Sequence, residues 1–143
     1  MSQLRLPFQS LSPEAYQGLL ATNTALAKSV LGMPLLELVY LRISQINGCA
    51  FCLQKHSQAL REVAVPQDKL DCLAGWRMSA LFDERERAAL EWAETLTGIS
   101  EKGAPDAVYE PLKAHFSDNE ISDLTLAAAL MNAFNRLAVG MNL

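Results

Sequence analysis

Apolar positions recur at helical spacing along almost the whole chain, and the residues between them read as helix starts and stops. Ser12 followed by Pro13 predicts an N-cap with proline at the first helical position. Tyr16, Leu19, Leu20, Leu26, Ala27, Val30 and Leu31 then mark one face of a helix that Gly32 ends. Pro34 opens a second helix, PLLELVYLRISQIN, which Gly48 closes. A third is expected from about Cys49 to Val65, where Pro66 stops it, and a shorter one over QDKLDCLAGW. Asp83 with Glu86 forms a capping pair for ERERAALEWAETLTG, and Ser117 with Glu120 caps the last helix, ISDLTLAAALMNAFNRLAVG. Between them Pro105 opens PDAVYEPLKAHF, with a kink or break at Pro111. No stretch sustains the period-two alternation of a strand. The expectation is one all-α domain over residues 1–143, without repeat or linker. It should hold about six or seven helices around an antiparallel hairpin.

Composition narrows the function classes. The chain has 143 residues, 50% apolar and 20% charged, with a net charge of −4. That suits one globular domain, with an apolar surplus that points to a homo-oligomer. The acidic balance and the absence of a basic cluster argue against nucleic acid as a partner. The opening stretch MSQLRLPFQSLSPE has no continuous apolar core, so a secretory signal is not expected. No uninterrupted apolar run approaches the ~20 residues of a membrane span. A cytoplasmic protein is expected, and its three cysteines do not make a disulfide framework.

Two of those cysteines and one of the two histidines crowd into INGCAFCLQKHSQAL. Cys49, Cys52 and His56 stand at i, i+3 and i+7, one stripe of a helix. Cα atoms three positions apart in a helix are about 5 Å apart, within reach of a disulfide. The first turn also favours a thiolate. Asn47-Gly48 is a tight connection, so the helices on either side fold back on each other. At ~1.5 Å per residue, Glu37 lies roughly 16 Å before the turn and His56 roughly 12 Å after it, at similar depth. Glu37 sits among Leu35, Leu36, Leu38 and Val39, and a buried carboxylate needs a partner. His56 is one candidate and Arg42 another. The set Glu37, Cys49, Cys52 and His56 supplies a nucleophilic thiol, a resolving thiol, a base and a carboxylate to support the base.

Other chemistry fits less well. Three ligands strung along one helix span about 10 Å of axis. Zinc bonds of ~2.0–2.3 Å do not readily gather that length, so no metal is expected. A thioredoxin-like fold would need a strand before the Cys-x-x-Cys. Cys72 shares a helical face with Trp76 and is expected in the core. His115 is expected at the surface or at a helix C-terminus, and FDERERAALE as a solvated face. Asn132, Asn135 and Arg136, unusual in an apolar last helix, read either as interhelical hydrogen bonds or as site lining.

The pattern E-x11-C-x2-C-x3-H, carried by Glu37, Cys49, Cys52 and His56, resembles the alkyl hydroperoxidase D (AhpD) family. That family belongs to the wider carboxymuconolactone decarboxylase superfamily. LVYLRISQINGCAFCLQKHSQAL is similar to the family's core, and NAFNRLAV to its last helix. The resemblance implies an all-α fold around a helical hairpin, assembled as trimers or hexamers. It also implies cofactor-free reduction of hydroperoxides, with Cys52 attacking, Cys49 resolving, and His56 and Glu37 relaying the proton. The reductant it implies is an external dithiol, a lipoyl group or a thioredoxin-like protein. Some members carry histidine between the cysteines; Phe51 here removes that proton carrier and makes the surroundings more apolar. Two other classes stay open: a decarboxylase-type enzyme with incidental cysteines, and a binding or redox-sensing module without turnover.

Overall fold

The computed structural model describes residues 3–143 and holds no strand among them. Met1 and Ser2, part of the N-terminal stretch and of the expected domain, lie outside the described residues. The helices are α1 (Phe8–Leu11), α2 (Pro13–Leu26), α3 (Met33–Asn47), α4 (Ala50–Glu62) and α5 (Gln67–Asp71). A 3-10 turn over Leu73–Met78 follows, then α6 (Glu84–Thr97), α7 (Ile99–Lys102) and α8 (Asp106–Tyr109). A second 3-10 turn, Glu110–Ala114, leads to the long α9 (Asp118–Met141).

The central element is α3. Every residue from Leu35 to Leu41 is buried, as are Ile43 and Ser44, because this helix is apolar all round and must be covered all round. One face, with Leu36, Val39, Tyr40 and Ile43, packs into a core with Ala89, Trp92 and Ala93 of α6 and Leu124, Ala127, Ala128 and Met131 of α9. The opposite face, Leu38 and Leu41, packs into a second core with Leu60 of α4, Leu70, Leu73, Trp76, Phe82 and Leu90. Gly48, in the left-handed region at φ 67°, ends α3 and reverses the chain directly into α4. The expected α3–α4 hairpin results.

Both expected capping boxes form. The Asp83 carboxylate accepts from the Glu86 amide at 2.8 Å, and the Ser117 hydroxyl from the Glu120 amide at 3.2 Å. Proline 111 lies in the 3-10 turn that breaks PDAVYEPLKAHF in two, and His115 is exposed at its end. By length and composition α9 would pass for a membrane span. Its apolar face is instead packed on α3 and α6, and its first turn carries Asp118 and Glu120.

Several expectations need correction. Helix α2 stops at Leu26, well before Gly32; residues 27–31 form turns, with Leu31 buried and Val30 exposed. Cys72 is exposed while Trp76 is buried. Cys72 ends α5, and the 3-10 turn after it has three residues per turn, so the i, i+4 relation is lost there. Helices α1 and α7, four residues each, are too short to show a period. The run FDERERAALE is not simply solvated. Arg87 donates to the carbonyls of Trp76, Arg77 and Ser79, Lys69 pairs with Glu86, and Arg85 pairs with Glu120.

Arg42 is not the partner of Glu37. Its Nε donates to Glu94 at 2.7 Å, and Glu94 also accepts from Arg77 and from the Trp76 indole at 3.0 Å. Burial pushes the Glu94 carboxyl up, but these donors more than offset it and hold the group below its ordinary 4.5. A carboxyl depressed on folding adds stability above the unfolded value and loses it as pH falls through the folded one. Glu94→Gln should therefore cost about 2 kcal/mol at neutral pH, the scale of hydrogen bonds to a charged group. The gap from wild type should begin to narrow as pH falls below about 4.5 and close only below the lower folded-state value. Urea denaturation across that range checks this; a gap constant with pH would contradict it.

Candidate active site

Helix α4 begins where the chemistry begins. Cys49 is its N-cap, with extended backbone, and the Cys49 Sγ accepts the amide of Cys52 at 3.2 Å. A cysteine sulfur thus does what a serine or aspartate oxygen does at other helix starts. Cys49 is outside the helical register, so the stripe read from the sequence starts at the cap and not in the first turn proper. The two Cα atoms are 5.2 Å apart and the cysteines are disulfide-bonded. Both are buried, at 2% and 4% exposure, and they pack against Ala138 of α9.

One turn further along α4, His56 meets Glu37 across the hairpin. His56 Nδ1 and Glu37 Oε2 are 2.6 Å apart, and both side chains are buried. The sequence put the two at similar depth; the structure makes the contact direct, with no bridging group. With Nδ1–H given to the carboxylate, Nε2 is the nitrogen left to accept a proton. Tyr40, one turn after Glu37 on α3, covers the imidazole with ring centroids 5.4 Å apart. Its hydroxyl is pushed up to about 12, first by burial and second by the Glu37 charge, so it stays protonated. The spacing Glu37–Tyr40, i to i+3, was the signal that could have marked Tyr40.

A cavity of about 120 Å³ opens on this pair. Cys52, His56 and Glu37 line it; Cys49 does not. Phe51 and Lys55 of α4, Met131, Phe134, Leu137 and Ala138 of α9, Phe8 of α1, Tyr16, Leu20 and Asn23 of α2, and Leu143 complete the wall. Nothing in the sequence pattern ties the N-terminal aromatic residues to this place.

The odd polar residues of α9 resolve into hydrogen bonds. Asn47, just before the hairpin turn, donates to Asn132 and Asn135 at 3.0 Å each. Asn135, fully buried, donates to the Ser44 hydroxyl at 3.1 Å, and Arg136 donates to the Asn132 side chain. None of the three lines the cavity. Asn132 and Asn135 latch the end of α3, and so the start of α4, onto α9, while Arg136 bonds only within α9.

A helical hairpin that buries a Cys-x-x-Cys and turns its second cysteine and a carboxylate–histidine pair to one cavity defines an AhpD-like protein. Residues 13–95 match the model of the carboxymuconolactone decarboxylase (CMD) family, and the chain belongs to that family. It is 30% identical over 141 residues to YdfG of Bacillus subtilis, an uncharacterised protein, covering 99% of this chain and 95% of that one. It is 36% identical over 107 residues to YnjA of Escherichia coli, also uncharacterised, covering 75% of this chain but 58% of YnjA. Among solved structures, a protein of unknown function from Agrobacterium tumefaciens, suggested to be the antioxidant defence protein AhpD, superposes with a TM-score of 0.92. Identity is 39%, over 97% of this chain and 95% of that one. A peroxidase-related protein from Silicibacter superposes at 0.80, with 27% identity over 91% of this chain and 69% of that one.

The unequal placement of the thiols has a consequence in the reduced protein. Alkylation with iodoacetamide should label exposed Cys72 first, Cys52 through the cavity second, and Cys49 last. Peptide mass spectrometry over a time course reads the order, and Cys49 labelling ahead of Cys52 would contradict it.

Proposed function

We propose that the protein is a thiol-dependent peroxidase that reduces hydroperoxides with the Cys49/Cys52 pair. The observation that carries this reading is that Cys52 and the Glu37–His56 pair open on one apolar cavity, with Cys49 behind. His56 Nε2 takes the Cys52 thiol proton, and Glu37 stabilises the imidazolium. The Cys52 thiolate attacks the terminal peroxide oxygen; the O–O bond breaks, and the alkoxide takes the proton from His56 and leaves as an alcohol. Cys52 is then a sulfenic acid, and Cys49 condenses with it to the disulfide, releasing water. An external dithiol, lipoyl or thioredoxin-like in type, reduces the disulfide by exchange and is itself oxidised.

Homo-oligomerisation, as a trimer or hexamer, is part of the proposal, supported by the family and by exposed Leu126 and Val139 on α9. Light scattering that returned a monomer at tens of micromolar would remove it.

The test of the chemistry is stoichiometric and then catalytic. Cys52→Ser should consume no peroxide. Cys49→Ser should consume one equivalent and leave a sulfenic acid on Cys52 that dimedone traps. A dimedone adduct on Cys49 in Cys52→Ser, with Cys49→Ser inert, would reverse the roles. In turnover with dithiothreitol, Glu37→Gln should be slower by on the order of 10²-fold with the fold intact, because a neutral amide does not stabilise imidazolium. An unchanged rate would leave Glu37 a structural role only. Peroxide oxidation without turnover would favour a sensor, and no thiol loss at all a decarboxylase-type enzyme.

A further inference from the structure

The cavity has a chemical polarity that the peroxidase reading does not use. Its wall is mostly aromatic and aliphatic, with Asn23 of α2 as a polar member: Phe8 and Tyr16 meet edge-on with centroids 5.7 Å apart, and Phe51 of α4 and Phe134 of α9 also line it. Its carboxylate, Glu37, is engaged by His56. Its cation is Lys55, which stands one helical turn after Cys52 and is exposed, with half-exposed Phe51 one turn before it. Among the described residues Lys55 makes no ion pair, although the chain is acidic and pairs several of its other cations. A cation at the mouth of an apolar cavity, in a protein of net charge −4, favours a ligand with an anionic end and an apolar body.

We propose that Lys55 selects an anionic organic hydroperoxide. The carboxylate of the substrate pairs with the Lys55 ammonium at the mouth, its ring or chain lies against the aromatic wall, and its peroxide reaches Cys52. This rests on the peroxidase reading and adds its substrate class. A neutral amide or methionine at position 55 would keep the wall and remove the pairing charge.

The experiment compares cumene hydroperoxide with its 4-carboxylate, two substrates that share ring and peroxide and differ in the charge. In wild type the kcat/KM of the carboxylate should exceed that of the neutral compound by about fivefold, the scale of a partly exposed ion pair. The ratio should fall to about one in Lys55→Met, invert in Lys55→Glu and survive in Lys55→Arg. Equal ratios in wild type and Lys55→Met would overturn the proposal. A second arm needs no turnover: calorimetry with 4-isopropylbenzoate and with 4-isopropylbenzyl alcohol, neither of which carries a peroxide. The benzoate should bind wild type about fivefold more tightly than Lys55→Met, while the alcohol does not discriminate. If neither hydroperoxide is consumed but the benzoate still discriminates, the peroxidase reading fails and the anion site stands. If both are consumed but charge and Lys55 make no difference in either arm, the peroxidase reading stands and the anion site fails.

Discussion

The contact between Glu37 and His56 is the constraint on which the site depends. Glu37 is the lone charged residue in the fully buried stretch Leu35–Leu41 of the central helix. A carboxylate in that position must be hydrogen-bonded, and leaving a buried acceptor without its donor costs about 1–3 kcal/mol, more for a charged group. His56 is the partner, and it reaches Glu37 only if α4 lies antiparallel to α3 in one register. The same hydrogen bond that satisfies the carboxylate turns the imidazole so that Nε2 is free for proton transfer. Stability and chemistry are thus bound to the same 2.6 Å contact.

The remainder of the fold protects that register. Gly48 permits the reversal with a left-handed backbone, and Cys49 caps the helix that follows. Asn47, Asn132, Asn135 and Ser44 tie the turn to α9 with hydrogen bonds that leave no buried polar side chain unpartnered among the described residues. Arg42, further back on α3, donates to Glu94, which also accepts from Arg77 and Trp76, so Arg42 does not compete for Glu37. Tyr40 closes the imidazole from the core side. The polar groups among these fix donors and acceptors next to the hairpin turn.

The two cysteines differ in position. Cys49 sits at the cap, behind Cys52, where the amide of Cys52 points at its sulfur. Cys52 lines the cavity with His56. Moving Cys52 one position on would carry it from the cavity toward the second core, where Leu53 packs, because a helix turns about 100° per residue. The apolar lining contributed by α1, α2 and α9 then decides which molecules come near the sulfur.

The helical class, the hairpin, both capping boxes and the set Glu37, Cys49, Cys52 and His56 were legible in the sequence. Each is a short-range pattern: caps act over three residues, a helical face repeats every three or four, and a glycine turn joins neighbours in the chain. Where the local pattern changed period, the reading failed, as at Cys72, whose helix gives way to a 3-10 turn. What the chain could not reveal alone is every choice made between residues far apart in sequence. Whether Glu37 takes His56 or Arg42, and whether Asn135 lines the cavity or latches α9, depend on which helices pack together. That Phe8 and Tyr16 reach Cys52 depends on it too. Packing is decided by the summed burial of several faces at once, with α3 at the centre, and no single stretch of the chain contains that sum.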